Sequence, residues 1–234
     1  MNVILFESHE INGGEVEIKG RRFEHIRKVH GAQRGSELRV GMIGGKLGRG
    51  TIESIADASL RMSIQLNSDP PEPLPLRLIL ALPRPKVLNR TIAAAVSMGI
   101  REIDLINAWR VEKSYWRSPR MSEDNLKFQA VLGLEQAGDT ILPRIRMHPL
   151  FVPFIREQLP REIGGRLALV ADAKGNTECP RKIDTAAVLA IGPEGGFIER
   201  ELATFHEIGF QHVSLGRRIL RVETALAFLI GRLF

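Results

Sequence analysis

The apolar and polar positions divide the chain into two parts with different periodicity. Before residue 68, short segments alternate apolar and polar residues and are separated by glycines, a pattern typical of half-buried β-strands. The predicted strands are 15–18, 37–42, 47–55 and 60–66, with one short helix over 20–29. This pattern predicts a small β-barrel.

Later in the chain, continuous apolar runs alternate with segments of helical periodicity. The predicted buried strands are 76–82, 102–106, 167–171, 187–191 and 212–215. The predicted helices are 88–98, 122–137, 199–208 and 222–233. Fully apolar strands that alternate with helices are typical of a parallel sheet covered on both faces. The second part is therefore predicted to be an α/β domain.

A proline-rich stretch separates the two parts. Residues 68–75 contain Pro70, Pro71, Pro73 and Pro75, which hold the backbone extended and remove amide donors. Such a stretch forms neither a helix nor a central strand. We therefore predict two domains, at 1–69 and 74–234.

Composition and charge narrow the class of protein. The formal net charge of +6 favours a polyanionic partner such as a nucleic acid. The single cysteine, Cys179, argues against a disulfide framework and a zinc cluster, so we expect a cytoplasmic protein without a metal. We expect no membrane segment, because no apolar run is long enough, and no secretory signal at the N-terminus.

The first loop with candidate chemistry is Gly192-Pro193-Glu194-Gly195-Gly196-Phe197. It follows a predicted apolar strand and precedes a predicted helix, the position where ligands bind in open α/β sheets. Its glycines would let a ligand approach the bare backbone. An ordinary glycine-rich turn is the alternative. The glycine spacing matches neither a dinucleotide fingerprint nor a phosphate-binding P-loop.

The second loop runs from Leu215 to Ala225, between a predicted strand and the last helix. Three arginines lie within five positions of it, beside Glu223 and Thr224. Arginines at this density are solvated, paired or bound to an anion. A solvated basic turn is therefore the alternative interpretation. Taken together, two such loops after neighbouring strands predict a single pocket.

At these loops the chain resembles the SPOUT class of knotted methyltransferases and, more narrowly, the RsmE family of small-subunit ribosomal RNA uracil-N3 methyltransferases. The family's Gly-Pro-Glu-Gly-Gly-Phe motif matches 192–197. Its Leu-Gly-x-Arg-Ile-Leu-Arg-x-Glu-Thr-Ala motif matches 215–225. Upstream the resemblance is weaker: the family's Glu-Arg-Ser is replaced around 109–114, and Asp139 stands where an arginine is common.

The resemblance implies a fold, a cofactor and partners. We expect an α/β protein with a C-terminal SPOUT trefoil-knot domain after a PUA-like RNA-binding β-barrel. We also expect a homodimer that acts on 16S ribosomal RNA or the small ribosomal subunit. The cofactor implied is S-adenosyl-L-methionine. Its implied binding residues are Gly192, Pro193, Gly195, Gly196, Leu215, Gly216, Ile219, Leu220 and Thr224.

Methylation at uracil N3 requires that N3 lose its proton, so a base or an anion-stabilising donor is needed. The candidate bases are Glu223 and Glu194, and Arg221 is the candidate for stabilising charge on the uracil oxygens. Alternatively, Glu194 pins its loop, and Glu223 caps the last helix and pairs with Arg221.

Two basic clusters are candidates for RNA binding. His25, Arg27 and Lys28 share a predicted helix of the barrel domain, where a solvated face is the alternative. Arg110, Lys113 and Arg117 are interleaved with Tyr115 and Trp116, a composition that suits RNA backbone contact with base stacking. A surface loop with a buried tryptophan is the alternative there.

Three rival functions remain open. A SPOUT enzyme with another RNA target, such as a ribose 2'-hydroxyl or a transfer RNA base, would share the same loops. An RNA-binding protein that retains the donor pocket without catalysis would share them too. A small-molecule α/β enzyme is disfavoured by the basic charge and the absent nucleotide-binding motifs.

Overall fold

The computed structural model describes residues 2–175 and 177–234. The chain forms two compact units: Met1–Glu72 with Val131–Leu142, and Pro73–Ala130 with Pro143–Phe234. No helix among the described residues is long and apolar enough to cross a membrane.

The first unit is a mixed six-stranded sheet in the order β1-β4-β5-β6-β3-β2, in which only the β1–β4 pair is parallel. Its elements are β1 (Ile4–Phe6), a 3₁₀ turn (Ser8–Glu10), β2 (Ile11–Asn12), β3 (Glu15–Lys19), α1 (Gly20–His25), a π-helical turn (Ile26–His30), β4 (Glu37–Met42), β5 (Leu47–Ile55) and β6 (Ser59–Ser68).

The six-stranded sheet of the first unit forms a half-barrel, and buried and exposed residues alternate along strands such as β3. In β3, Val16 and Ile18 are buried while the residues between and beside them are exposed, so one face of the strand packs on the core. Phe6 and Phe23 pack in the same core. At Gly48 in β5, a Cβ would lie 1.8 Å from the Gln65 carbonyl oxygen, so only glycine fits at this irregularity in the pairing with β6. The predicted N-terminal β-barrel is confirmed in this form.

The segment Val131–Leu142 belongs to the first unit because it bonds to it repeatedly. The Glu135 carbonyl accepts hydrogen bonds from the backbone N–H groups of Asn2 and Val3, at 2.8 and 3.2 Å. The buried Glu135 carboxylate accepts two more from the Arg21 guanidinium, at 2.9 and 2.7 Å. This segment lies within the range 74–234 that the sequence predicts as a single second domain.

The second unit is an all-parallel seven-stranded sheet in the order β11-β13-β10-β12-β7-β8-β9. Its strands are β7 (Leu76–Ala81), β8 (Glu102–Ile106), β9 (Arg144–His148), β10 (Leu167–Ala171), β11 (Thr177–Glu178), β12 (Ala187–Ile191) and β13 (Gln211–Ser214). Its helices are α2 (Pro85–Ser97), α3 (Lys113–Trp116), the first part of α4 (Glu123–Ala137), α5 (Phe151–Pro153), α6 (Leu159–Ile163), α7 (Glu199–Glu207) and α8 (Val222–Leu233). The rest of α4, from Val131, belongs to the first unit. A 3₁₀ turn (Pro119–Met121) and a π-helical turn (Phe154–Gln158) complete it.

The central strands β7 and β12 are buried along their whole length, as expected for strands covered on both faces. From β7 the chain builds β8 and β9 on one side, and it places β12, β10 and β13 on the other. The carboxyl ends of β10, β12 and β13 therefore lie side by side. This edge is where an open α/β sheet binds ligands.

The C-terminal helix is fastened to the connection that precedes β12. The backbone N–H groups of Lys182 and Ile183 donate to the carbonyls of Arg232 and Leu233, at 3.1 and 2.7 Å. The Arg232 Nε donates to the Cys179 carbonyl at 2.6 Å. These bonds hold the end of α8 against the connection between β11 and β12.

Candidate active site

A cavity of about 870 Å³ opens at the carboxyl ends of β10, β12 and β13. It is lined by 171–174, 191–200, 202, 213, 215–220, 222 and 225, together with Arg110. Its volume is within the range of small-molecule and cofactor sites. Both loops singled out from the sequence thus contribute to one cavity.

The first loop is held tightly by its own backbone. Gly196 has a φ of +71°, which side chains disfavour. A Cβ at Gly192 would lie 3.0 Å from the Phe197 nitrogen and 3.1 Å from a Gly196 backbone carbon. Phe197 anchors the end of the loop, because its ring packs 5.1 Å from that of Phe205 under the cavity. Gly192 and Gly196 therefore suit the turn itself.

Glu194 fastens the first loop to the start of α2. Its Oε1 accepts a hydrogen bond from the Arg84 backbone N–H at 3.0 Å. The side chain is exposed and lines the cavity. The pinning role that the sequence left open is thus present, and it occupies one of the two carboxylate oxygens.

The main-chain groups of the second loop between 215 and 220 lie beside the cavity. In the described part of the chain, the backbone N–H and C=O groups of 215–220 form no hydrogen bond with another protein group. Gly216 has a φ of +99°, and the Ile219 side chain is 84% exposed at the cavity wall. Exposed main-chain groups beside an apolar side chain can hydrogen-bond the edge of a flat heterocycle and cover its face.

A third loop, which contains Trp109 and Arg110, is bonded to the residues of this cavity. The sequence motifs did not reveal these contacts. The buried Glu201 accepts the Ile198 N–H with Oε2 at 3.0 Å and the Trp109 N–H with Oε1 at 2.7 Å. The next residue, Arg110, donates from its guanidinium to the Gly195 carbonyl. Ile198 has no side-chain acceptor, so Glu201 makes only its own half of a capping box. A Glu at the third helical position was the available sequence signal.

A model of the RNA methyltransferase domain family matches residues 70–233. The ribosomal RNA small subunit methyltransferase E of Treponema pallidum (strain Nichols) is 32% identical to the chain, over 96% of this chain and 87% of the relative. The chain belongs to the RsmE family of RNA methyltransferases.

A second relative and a solved structure are also similar to the chain. The relative from Mycobacterium bovis is 27% identical, over 94% of this chain and 86% of its own length. The crystal structure of the methyltransferase E of Neisseria gonorrhoeae, bound to S-adenosyl methionine, superposes with a TM-score of 0.74 at 21% identity, covering 98% of this chain and 96% of that one. This likeness confirms the α/β SPOUT fold.

All but one of the predicted cofactor-binding residues of this RsmE-family chain line the same cavity. Both loops line the cavity with the residues Gly192, Pro193, Gly195, Gly196, Leu215, Gly216, Ile219 and Leu220. Thr224 is exposed in the first turn of α8 and is not part of the cavity wall. Its role at the cofactor stays a prediction.

The predicted catalytic residues lie in different surroundings. Glu194 lines the cavity, whereas Arg221 and Glu223 lie just beyond its wall at the start of α8. The Arg221 side chain is exposed and has no ion pair among the described residues. Glu223 accepts from the Arg90 guanidinium at 3.1 Å, so its ion-pair partner is Arg90 instead of Arg221.

Of the predicted RNA-binding residues in the second unit, Arg110 lines the cavity, and Lys113 and Arg117 are exposed. The aromatic side chains between them are engaged within the protein. The Trp116 indole N–H donates to the Asn107 Oδ1 at 3.0 Å, and the Tyr115 hydroxyl donates to Glu112 at 3.1 Å. Partial burial and this bond to Glu112 raise the pKa of Tyr115, so it remains a phenol at neutral pH.

In the first unit, the predicted RNA-binding residues lie on α1 and the turn that follows it. Arg27 and Lys28 are exposed, and both pair with Glu24 at 3.0 Å. His25 is half-buried. Exposed pairs of this kind are worth little and would release their cations readily to a phosphate.

Proposed function

We propose that the protein transfers a methyl group from S-adenosyl-L-methionine to N3 of a uracil in 16S ribosomal RNA of the small ribosomal subunit. The observation that carries this proposal is the cavity at 192–197 and 215–220, whose second loop leaves its main-chain groups unpaired. Membership of the RsmE family, whose curated relatives are named as small-subunit ribosomal RNA methyltransferases, supports the choice of substrate.

The residues present fit the donor. Unpaired main-chain groups of 215–220 would hydrogen-bond the adenine edge, and Ile219 and Leu220 would cover its faces. Gly192, Gly195 and Gly216 add no side chain where the ribose must pass. When bound, the donor supplies a sulfonium methyl group that a nucleophile attacks in line, and alignment provides much of the rate.

Side chains at the cavity mouth would remove the proton from the uracil N3. Glu194 is the candidate base that lines the cavity, and its second carboxylate oxygen has no hydrogen bond within the described residues. Glu223 is committed to Arg90 and is less available. Arg221, exposed beside the second loop, would stabilise negative charge on the uracil oxygens.

Positive charge would hold the RNA. Arg110 lines the cavity, Lys113 and Arg117 are exposed on the segment that follows it, and we assign all three to substrate phosphates. In the first unit, His25, Arg27 and Lys28 would contact other phosphates of the RNA. We further propose a homodimer that uses α8, where Phe228 is 52% exposed, and action in the cytoplasm, where ribosomal subunits are found.

The deciding experiment measures methyl transfer. Small ribosomal subunits from cells that lack the gene would be incubated with the protein and methyl-labelled S-adenosylmethionine, and nucleosides would be identified by mass spectrometry. We expect one new N3-methyluridine per 16S RNA. Label on a ribose or on transfer RNA would identify a SPOUT enzyme with another target. Donor binding without transfer to any RNA would identify a non-catalytic relative.

A further inference from the structure

Trp109 stands out because its side chain is 79% exposed, although tryptophan is usually largely buried. The two other aromatic residues of this region, Tyr115 and Trp116, are half-buried and hydrogen-bonded within the protein. The base-stacking surface expected from the sequence at Tyr115 and Trp116 is therefore only partly exposed, and its role stays a prediction. Trp109 is the aromatic ring with an open face here.

The Trp109 backbone is fixed, even though its ring is exposed. Its N–H donates to Glu201, which is only 7% exposed, at 2.7 Å. Arg110 continues the attachment through its bond to the Gly195 carbonyl. The ring is thus presented from a loop that is fastened to the first cavity loop. A backbone held in place in advance reduces the entropy that is lost when a ligand stacks on the ring.

The charged residues close to Trp109 in the sequence indicate what would stack on its ring. Arg110, Lys113 and Arg117 lie within eight positions of Trp109 and are all exposed, and Lys113 has no ion pair in the described part of the chain. A flat exposed ring on a segment rich in cations suits a nucleobase attached to a phosphate backbone. An apolar protein surface would leave these cations without a counter-charge.

We propose that Trp109 stacks on a base of the substrate RNA at the entrance of the methyl-donor cavity, and that Glu201 is the positioning residue that holds it there. This assignment rests on the proposed function, since it requires an RNA substrate. It adds a specific contact at a position where the chain departs from its family's usual Glu-Arg-Ser.

The test compares Trp109→Phe with Trp109→Leu in methyl transfer at saturating donor. Both variants keep the backbone bond to Glu201 and an apolar side chain, but only phenylalanine keeps an aromatic face. We expect Trp109→Leu to raise KM for the small subunit by about tenfold or more, and Trp109→Phe to restore most of the loss. The donor Kd, measured by calorimetry, should be unchanged in both.

Equal KM values for wild type and Trp109→Leu would overturn the proposal while leaving methyl transfer established. An inactive wild type with intact donor binding would instead refute the proposed function. The alternative is that a second copy of the chain covers the Trp109 ring. Gel filtration with light scattering tests this alternative. A change in oligomeric state in Trp109→Leu would support it and would overturn the RNA contact.

A double-mutant comparison tests whether Glu201 acts by positioning Trp109. Glu201→Gln keeps the side-chain shape but replaces one acceptor oxygen by a donor, so one of its two backbone bonds is lost. We expect it to raise KM for the small subunit, and to add little in the Trp109→Leu background. Fully additive effects would show that Glu201 does not act through Trp109. RNA-induced fluorescence quenching, strong in wild type and weak in Trp109→Phe, provides an independent readout.

Discussion

Replacing Asp104 by asparagine should destabilise the second unit strongly, because Asp104 is the centre of a buried ion cluster. Its Oδ2 accepts from Arg77 Nε at 2.6 Å, and its Oδ1 lies 2.8 Å from both Arg146 Nε and His148 Nε2. Asp104 and Arg77 are fully buried. Glu162 is the cluster's second carboxylate, and it is 40% exposed.

Asparagine preserves the shape of Asp104 but removes its charge. The buried Arg77 guanidinium would keep only its 2.8 Å pair with Glu162, which solvent screens in part. Removing one partner of a buried ion pair costs about 3–5 kcal/mol, because the other charge stays buried without compensation. The matched control is Glu102→Gln on the same strand. Its pair with Arg166 is partly exposed, and solvent-screened pairs of this kind are worth about 0–1 kcal/mol.

Urea unfolding followed by circular dichroism measures both changes. Asp104→Asn should lower the urea midpoint far more than Glu102→Gln, and a similar small shift in the two variants would refute the reasoning.

The loss of stability at low pH provides a second check on the role of Asp104. Burial raises the pKa of Asp104, but hydrogen bonds from His148 and Arg77 outweigh it, so the folded pKa lies below the ordinary value.

A depressed carboxyl pKa contributes stability above the unfolded value of about 3.9. That contribution is lost as pH falls through the still lower folded value. Wild type should therefore lose stability on acidification below about pH 4 more steeply than Asp104→Asn, whose residue 104 no longer titrates. Parallel acid profiles for the two proteins would contradict the assignment of this effect to Asp104.

Three further predictions concern the site and its surroundings. Gly192→Ala should weaken donor binding in calorimetry, because its Cβ would press on the first loop's backbone, whereas Gly231→Ala in α8, with open space around the added carbon, should bind normally. Arg221→Ala should lower kcat about a hundredfold with an unchanged donor Kd; unaltered turnover would remove Arg221 from the reaction. Because burial raises the pKa of the Cys179 thiol, Ellman's reagent should modify it only after unfolding, and rapid labelling of the native protein would contradict its burial.

The regular elements could be predicted closely wherever burial alone determines the pattern. The predicted bounds 47–55 and 222–233 coincide with β5 and α8. In α8 the buried positions 222, 226, 229, 230 and 233 recur at helical spacing. The edge strand β9 was not predicted. Its sequence, Arg-Ile-Arg-Met-His, carries three basic side chains, two of which, Arg146 and His148, face Asp104. A strand whose polar face meets a buried charge has no apolar signature.

The helical segment from α5 to α6 was also missed, for a different reason. Pro153 and Pro160 lie inside it, and proline in a helical pattern normally predicts an end or a break. The chain accommodates them with a π-helical turn over Phe154–Gln158 and a new helix that begins near Pro160. The fully buried Phe154 and Ile155 offset the weaker local preference. Tertiary packing overrides local propensity in this segment.

The site was predictable to the extent that its chemistry resides in contiguous loops. The first and second loops each form a continuous wall of the cavity, so their motifs carried the information. Glu201 could not be assigned in this way, because the contact that gives it a role joins residues 92 positions apart. A glutamate at the start of a helix has an adequate local explanation as a cap, and only the folded chain brings the Trp109 amide to its second oxygen. Trp109 likewise has no motif: its significance comes from an exposed ring on a backbone that is fixed by that distant carboxylate. Sequence motifs therefore predict the donor cavity, where the chain keeps its family's pattern, whereas the substrate contacts at 109–114, where it departs from that pattern, have to be inferred from three-dimensional geometry.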